Sequence, residues 1–190
     1  GSVLENGSIL EEVRNGENAK VFGSNFEFGI SPNTKWRFQL GGTLQRTKYD
    51  DPQVIFETDG TEGETDIISD EFMRMPNLYG YFNASWLPIE KFNVDVTGTY
   101  TGGMTVPLVI SDTGFLALNE VNPFFDMNIK LESHIDFNDD FMVTFSGGVK
   151  NVFNSYQDDF DSGVDRDAGY VYGPNLPRTL FLGVKFGKFH

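Results

Sequence analysis

Four aspartates near the end of the chain are spaced closely enough to hold a metal ion. They are Asp159, Asp161, Asp165 and Asp167, which alternate with other residues around Gly163. Oxygen ligands gathered in a loop are what Ca²⁺ prefers, so these residues form a candidate Ca²⁺ site. The glycine is misplaced for an EF-hand, and no glutamate follows at the twelfth position. A solvated acidic loop is the simpler interpretation of the same residues.

Three tyrosines flank this loop and form a candidate ligand-binding site. The rings of Tyr156, Tyr170 and Tyr172 could stack on a flat ligand such as a haem, a corrin or a catecholate. Packing at the rim of a sheet explains these tyrosines at least as well. His134 stands alone among its neighbours, and a lone histidine is more often hydrogen-bonded than a metal ligand.

The sequence contains no pattern that indicates catalysis. It has no cysteine, no HExxH motif, no P-loop and no nucleophile elbow, so we expect no enzymatic activity. No cofactor is expected apart from Ca²⁺ in the aspartate loop. The formal net charge of −14 argues against a nucleic-acid partner, because binding phosphates requires clustered Lys and Arg.

The residues that position these candidates alternate between apolar and polar types with a period of two, which predicts strands with two different faces. Eight strands are expected, at about 8–14, 18–31, 34–48, 77–88, 91–103, 123–136, 140–152 and 178–189. Short connections rich in Pro, Asn and Asp alternate with long loops at about 49–76, 104–122 and 153–177. None of these loops has a convincing helical pattern. An up-and-down barrel with short turns on one rim and long loops on the other has this arrangement.

Large aromatic residues indicate which way the faces point. They gather at the short-turn ends of the strands: Trp36, Trp86, Phe92, Phe137, Phe141, Phe186 and Phe189. Such rings favour the boundary between lipid and headgroups, and the other face mixes both charge signs with small polar residues, as a wet lumen would. We therefore favour a transmembrane barrel over a soluble barrel or sandwich.

Motifs near the C-terminus are specific enough to suggest a family. They are Lys150-Asn151-Val152-Phe153-Asn154, Arg166-Asp167-Ala168-Gly169-Tyr170, Tyr172-Gly173-Pro174, Pro177-Arg178-Thr179 and Gly183-Val184-Lys185-Phe186, with Gly23-Ser24-Asn25-Phe26-Glu27-Phe28 and Arg74-Met75-Pro76 upstream. With them the chain resembles the C-terminal β-barrel portion of a TonB-dependent outer-membrane receptor. Among these it is most similar to the Bacteroidetes-type receptors of the siderophore, haem and cobalamin group.

The resemblance implies an all-β fold, an antiparallel up-and-down transmembrane β-barrel. Residues 1–190 would be the C-terminal part of one barrel domain, supplying the last eight or so strands of a plugged barrel of about 22, with no plug domain in this chain. The implied function is TonB-dependent active transport of a scarce nutrient (a ferric siderophore, haem or cobalamin) across the outer membrane of a Gram-negative bacterium. This chain would contribute barrel wall and extracellular loops.

The implied partners are outer-membrane lipid, the rest of the receptor barrel and plug, and TonB through the missing N-terminal part. A small-molecule metal chelate or cofactor would be the ligand, and a surface lipoprotein a further partner. We also expect Arg178 to pair with Asp165 or Asp167 and so to tie the last long loop to the wall. Two other interpretations fit the residues: a small free-standing outer-membrane β-barrel with an adhesion or structural role, and a soluble β-sandwich binding module.

Overall fold

The alternating segments form strands in the computed structural model, which describes residues 2–3, 9–10, 18–57, 65–110, 115–138 and 141–188. In chain order the strands are β1 Ser2–Val3, β2 Ile9–Leu10, β3 Ala19–Asn33, β4 Trp36–Tyr49, β5 Gln53–Phe56, β6 Ile67–Ser69, β7 Leu78–Ile89, β8 Phe92–Thr101, β9 Met104–Ile110, β10 Phe115–Val121, β11 Phe124–Asn138, β12 Phe141–Lys150 and β13 Thr179–Lys188. Within the described ranges no helix is long and apolar enough to cross a membrane.

Seven strands form one antiparallel sheet in the order β3-β4-β7-β8-β11-β12-β13. Each strand pairs with the next strand of the sheet along the chain, as in an up-and-down meander. The predicted fold class is confirmed. In the described part of the chain the sheet is open, since β3 and β13 each pair on one side only.

The strands of this sheet begin and end within two residues of seven predicted ranges. The expected strand at 8–14 is different. Ile9–Leu10 pairs with Ser2–Val3 in a separate two-stranded sheet, and residues 8 and 11–14 lie outside the described residues. Phe189, expected among the rim aromatics, also lies outside them.

The register places apolar and polar residues on opposite faces across the whole sheet. Leu40, Phe82, Gly98 and Met127 follow one another from β4 to β11 in one row. The adjacent row, on the other face, consists of Gln39, Asn83, Thr97 and Asn128. The two faces therefore separate as the alternation predicts.

Several large apolar side chains on the first face are covered by none of the described residues. Leu182 is 93% exposed, Phe22 83% and Leu180 78%. Along β11 the apolar positions run from Phe125 to Ile135, about 34 Å of strand, or about 26 Å in height at the tilt usual for membrane barrels. That height matches the apolar band of about 25 Å found on such barrels.

Aromatic rings stack at the short-turn end of the sheet. The rings of Trp36 and Trp86 are 5.3 Å apart at an interplanar angle of 14°. Phe141 contacts both Phe137 and Phe186, with centroids 6.2 Å apart in each pair. Two ring clusters thus lie at this edge, formed by five of the residues expected there.

The long loops contain more regular structure than the sequence indicates. β5 and β6 form a small hairpin, and β9 and β10 form a longer one, paired from Met104 opposite Val121 to Ile110 opposite Phe115. The range expected as a loop at 104–122 is therefore mostly strand. Pro107 argues against a strand in the middle of a sheet, but a two-stranded ribbon tolerates it because each strand has a free edge.

Candidate functional site

Three segments that the sheet brings to its long-loop end pack together into what we call the loop cluster: residues 70–77, the β9–β10 hairpin and residues 153–177. Their small core consists of Met104, Val106, Val121 and Tyr170, and Val106 is fully buried. The cluster contains both groups of candidate residues identified from the sequence.

Gln157 holds the two legs of the 153–177 segment together. Its side chain is 1% exposed and makes three hydrogen bonds. Nε2 donates to the carbonyl of Tyr170 at 3.0 Å, and Oε1 accepts from the backbone N–H groups of Tyr172 at 2.9 Å and Gly173 at 3.3 Å. Because buried backbone groups need such partners, this amide fixes the shape of the loop.

Asn151 fixes the base of the same segment. It has a positive φ of 50°, which asparagine tolerates better than most residues, and its side chain is buried. Its amide donates to the carbonyl of Leu176 at 3.0 Å and accepts from the N–H of Ser155 at 2.8 Å. The Lys-Asn-Val-Phe-Asn motif is thus explained by the turn that it builds.

The tether between the loops is Arg74, which sequence reasoning assigned only to a motif. Its backbone N–H donates to the carbonyl of Thr105 at 2.8 Å, and its guanidinium donates to the carbonyls of Gly169 and Val171. It therefore joins all three segments of the cluster. Its φ of 59° is uncommon for a non-glycine residue.

The expected ion pair between Arg178 and Asp165 or Asp167 is not formed, so that prediction is wrong. The backbone N–H of Arg178 instead donates to Oδ1 of Asn154 at 2.8 Å. Asp167 accepts from the backbone N–H groups of Val109 and Gly169 at 3.0 and 2.8 Å. Backbone donors from two segments occupy this carboxylate, and it ties the loop to the hairpin without an arginine.

Two of the three candidate tyrosines meet. The rings of Tyr170 and Tyr172 lie edge-on with centroids 5.2 Å apart, and both hydroxyls donate to Asp159, at 3.3 and 2.6 Å. Tyr170 is 4% exposed, so it belongs to the core of the cluster. Burial, and then the hydrogen bond to Asp159, raise the pKa of Tyr172. Tyr156 is half-buried, next to Gln157 in the chain.

The four candidate aspartates have separate contacts. Asp159 accepts from the two tyrosine hydroxyls, and Oδ2 of Asp161 accepts from the N–H of Asp167 at 2.6 Å. Asp165 is exposed. Among the residues that the structure describes, no three acidic or histidine side chains are grouped to hold a metal ion. Ca²⁺ binding here stays a prediction.

Polar residues on the second face of the sheet pair with one another. Lys130 lies 2.5 Å from Glu132, and His134 bonds to Oγ1 of Thr144 at 2.9 Å. Gln39 donates to Glu27 at 2.9 Å. These contacts are those expected of residues in the wall of a wet or filled lumen.

A cavity of about 350 Å³, here called the rim cavity, opens between the end of β4, residues 70–77 and the base of the β9–β10 hairpin. Gln45, Glu71, Phe72, Met75, Thr105 and Glu120 are among the residues that line it. No motif could have revealed it, because its walls come from segments far apart in the chain. Gly102 and Gly103 lead the chain out of β8 at its floor, where a Cβ would meet the carbonyls of Leu78 and Val121.

No protein-family model matches the chain, and no curated protein matches it. Among solved structures, the chain is similar to the ferric-catecholate import receptor Fiu of E. coli K12 in a closed form, with a TM-score of 0.60 and 17% identity over 90% of this chain. It is also similar to a mutant of the ferric enterobactin receptor PfeA of Pseudomonas aeruginosa, with a TM-score of 0.54 and 14% identity over 89% of this chain.

This likeness shows the fold. The chain has the fold of the matched part of these two receptors, an antiparallel up-and-down sheet. It covers 21% and 22% of the length of the two receptor chains, about one fifth of each. At this level of identity the likeness carries no ligand or activity over to the chain.

Proposed function

We propose that the chain is part of the wall and outer loops of an outer-membrane receptor that imports iron as a small-molecule chelate. The observation that carries the proposal is the two-faced sheet, whose uncovered apolar face ends at a row of stacked aromatic rings. An uncovered apolar face of this extent needs an apolar medium, and aromatic rows mark the boundary of a bilayer. The similarity to two ferric-chelate receptors supports iron as the cargo.

The finer parts of the proposal follow from the family resemblance. The receptor would be of the Bacteroidetes type, located in the outer membrane of a Gram-negative bacterium and not an enzyme. The polar face of the sheet would enclose a plug, and TonB would act on parts outside this chain. A ferric siderophore is the favoured cargo, while haem and cobalamin are alternatives that the uptake experiment separates. Contact with a surface lipoprotein and Ca²⁺ in the aspartate loop stay predictions.

The orientation of the sheet is tested by single cysteines, which the cysteine-free chain makes possible. A dye at Leu182→Cys should emit as in an apolar medium and be quenched by brominated lipid. The same dye at Ser146→Cys, on the polar face, should be insensitive to the lipid and accessible to a charged thiol reagent. Equal quenching at both positions would contradict a membrane wall.

The transport function is tested by uptake into cells with and without the gene. Cells that express the receptor should accumulate ⁵⁵Fe supplied as an iron–catecholate chelate, and removing TonB should abolish the uptake. Haem and cyanocobalamin are run in parallel as alternative cargoes. Normal heat-modifiable migration of the receptor with no uptake of any of the three would favour the adhesion or structural role.

A further inference from the structure

The walls of the rim cavity are fixed to one another by hydrogen bonds. The backbone N–H of Gln45 donates to the carbonyl of Asn77 at 2.8 Å, and its side-chain Nε2 donates to the carbonyl of Pro76 at 3.1 Å. The backbone N–H of Arg74 joins the same segment to the carbonyl of Thr105, at 2.8 Å. The cavity is therefore preformed, with a volume inside the range of about 300–1,000 Å³ that is usual for small-ligand pockets.

Three side chains of the lining keep an acceptor that no hydrogen bond between the described residues uses. The amide nitrogen of Gln45 is bound to Pro76, so its Oε1 remains as an acceptor. The hydroxyl of Thr105 donates to Oε1 of Glu120 at 2.7 Å, so Oε2 of Glu120 remains. Glu71 adds a carboxylate, and the bonds that the described part of the chain gives this residue run through its backbone, to Ser69. A ligand that carries hydrogen-bond donors can therefore bind these three acceptors.

The charges of the lining point the same way. Two carboxylates, from Glu71 and Glu120, line the cavity together with one cation, Arg46. Arg46 lies between Gln45 and Thr47 on β4, and successive side chains of a strand point to opposite faces. The side chain of Arg46 is therefore on the face opposite to those of Gln45 and Thr47. The carboxylates thus dominate the polar wall, while Phe72 provides apolar surface, with its ring held 4.5 Å from that of Tyr49.

We propose that the rim cavity binds a small ligand that carries an ammonium group next to hydroxyl groups. The ammonium lies between the carboxylates of Glu71 and Glu120, a hydroxyl donates to Oε1 of Gln45, and the carbon skeleton lies against Phe72. Hydrogen bonds to charged groups are the strong ones, so the two carboxylates provide most of the selectivity. The proposed function would make this ligand the outer part of a transported chelate, and that assignment rests on the proposed function. The binding of the ligand to the cavity does not depend on it.

Three sugars of similar size test the proposal by isothermal titration on the receptor purified in detergent. Glucosamine, which carries the ammonium, should bind saturably. Glucose, which is neutral, should bind about ten-fold more weakly, as expected for the loss of one charged hydrogen bond. Glucuronate, which is negative, should give no heat above that of dilution.

The matched variant is Glu120→Gln, whose side-chain carbonyl can still accept from Thr105 and so keep the wall in place. It should weaken glucosamine binding by about ten-fold and reduce the preference over glucose. Glu90→Gln, in the turn between β7 and β8 at the opposite end of the sheet, should leave binding unchanged. Heat-modifiable migration shows that each variant is folded.

Equal affinity for the three sugars, or an unchanged affinity in a folded Glu120→Gln protein, would overturn the proposal. The outcome is independent of transport. If the receptor binds glucosamine but imports no iron chelate, the proposed site is supported and the proposed function is contradicted. A receptor that imports a chelate without binding glucosamine contradicts the site alone.

Discussion

The sheet and the loop cluster are stabilised in opposite ways. In the sheet, backbone ladders hold seven strands in register, and one face leaves side chains such as Leu182 and Phe22 uncovered. In the loop cluster, apolar residues such as Val106 are covered by the chain itself, and a few polar side chains, above all Gln157 and Arg74, hold the backbone in place. The apolar face of the sheet therefore has no core of its own among the described residues, whereas the cluster has a small one.

Charge separates the two regions as well. The long-loop segments at 50–76, 102–123 and 153–177 contain more than half of the 28 acidic residues of the chain, against Arg74 and Arg166 as their only basic residues. On the polar face of the sheet, Lys130 pairs with Glu132 and Lys91 with Asp136. The comparison predicts that substitutions in the two regions respond to different conditions.

The largest effect is expected from a charge on the uncovered face of the sheet. Leu182→Arg should destabilise the folded protein in lipid vesicles by about 2–4 kcal/mol, because a charge near the centre of a bilayer loses its hydration. Ser146→Arg, on the polar face one residue pair away, should cost much less. Unfolding by guanidinium measures both. Similar losses on the two faces would show that the sheet does not stand between lipid and a polar lumen.

The next largest effect is expected in the cluster. Gln157→Leu should destabilise the 153–177 segment by about 2–3 kcal/mol, because the carbonyl of Tyr170 and two backbone N–H groups lose their partners while buried. Hydrogen exchange should become faster in 153–177 and stay unchanged in β11 and β12. Gln53→Leu is the control, since its amide is exposed and bonds only to the carbonyl of Asp51. Faster exchange throughout the sheet would mean that the cluster and the sheet are one cooperative unit.

A smaller effect is expected at Arg74. Arg74→Lys keeps the charge and the backbone bond to Thr105 but replaces Nη1, which donates to both carbonyls, with an ammonium on a shorter side chain, so the cluster should lose about 1–2 kcal/mol. Arg166→Lys, whose guanidinium reaches only Gly163 within its own loop, should change little. Protease cleavage within 153–177 compares the two variants. Equal cleavage rates in the Arg74→Lys and Arg166→Lys proteins would show that the Arg74 guanidinium does not hold the loops together.

The smallest effect is a dependence on alkaline pH. The pKa of Tyr172 is raised above its ordinary value of 10.0, so the folded cluster favours the protonated phenol. The stabilisation is complete below pH 10 and is lost as the pH rises through the raised pKa. Absorbance titration of tyrosinate should show one late-titrating group that Tyr172→Phe removes. If the group that Tyr172→Phe removes from the titration curve has the ordinary pKa of a tyrosine, the shift is refuted.

The sequence predicts the sheet well because the signal for it is local. Each strand shows its two faces in its own alternation, and short turns link neighbours that pair, so the faces of Trp36 and Gln39 follow from counting residues. The cluster depends on contacts between distant segments, and a glutamine such as Gln157 shows no sign in sequence of being fully buried. The tether assigned from sequence was Arg178, whereas the structure uses Arg74 and backbone donors.

The bond between Arg74 and the carbonyl of Gly169 joins residues 95 positions apart in the chain. Half of the strand pairings in the sheet close through short turns, so hairpins such as β7–β8 can form as soon as both strands are available. The Arg74 contact must close a far longer loop and is favourable only after β11 and β12 have brought its two ends together. We therefore expect the short-turn hairpins of the sheet to form before the contact between Arg74 and Gly169.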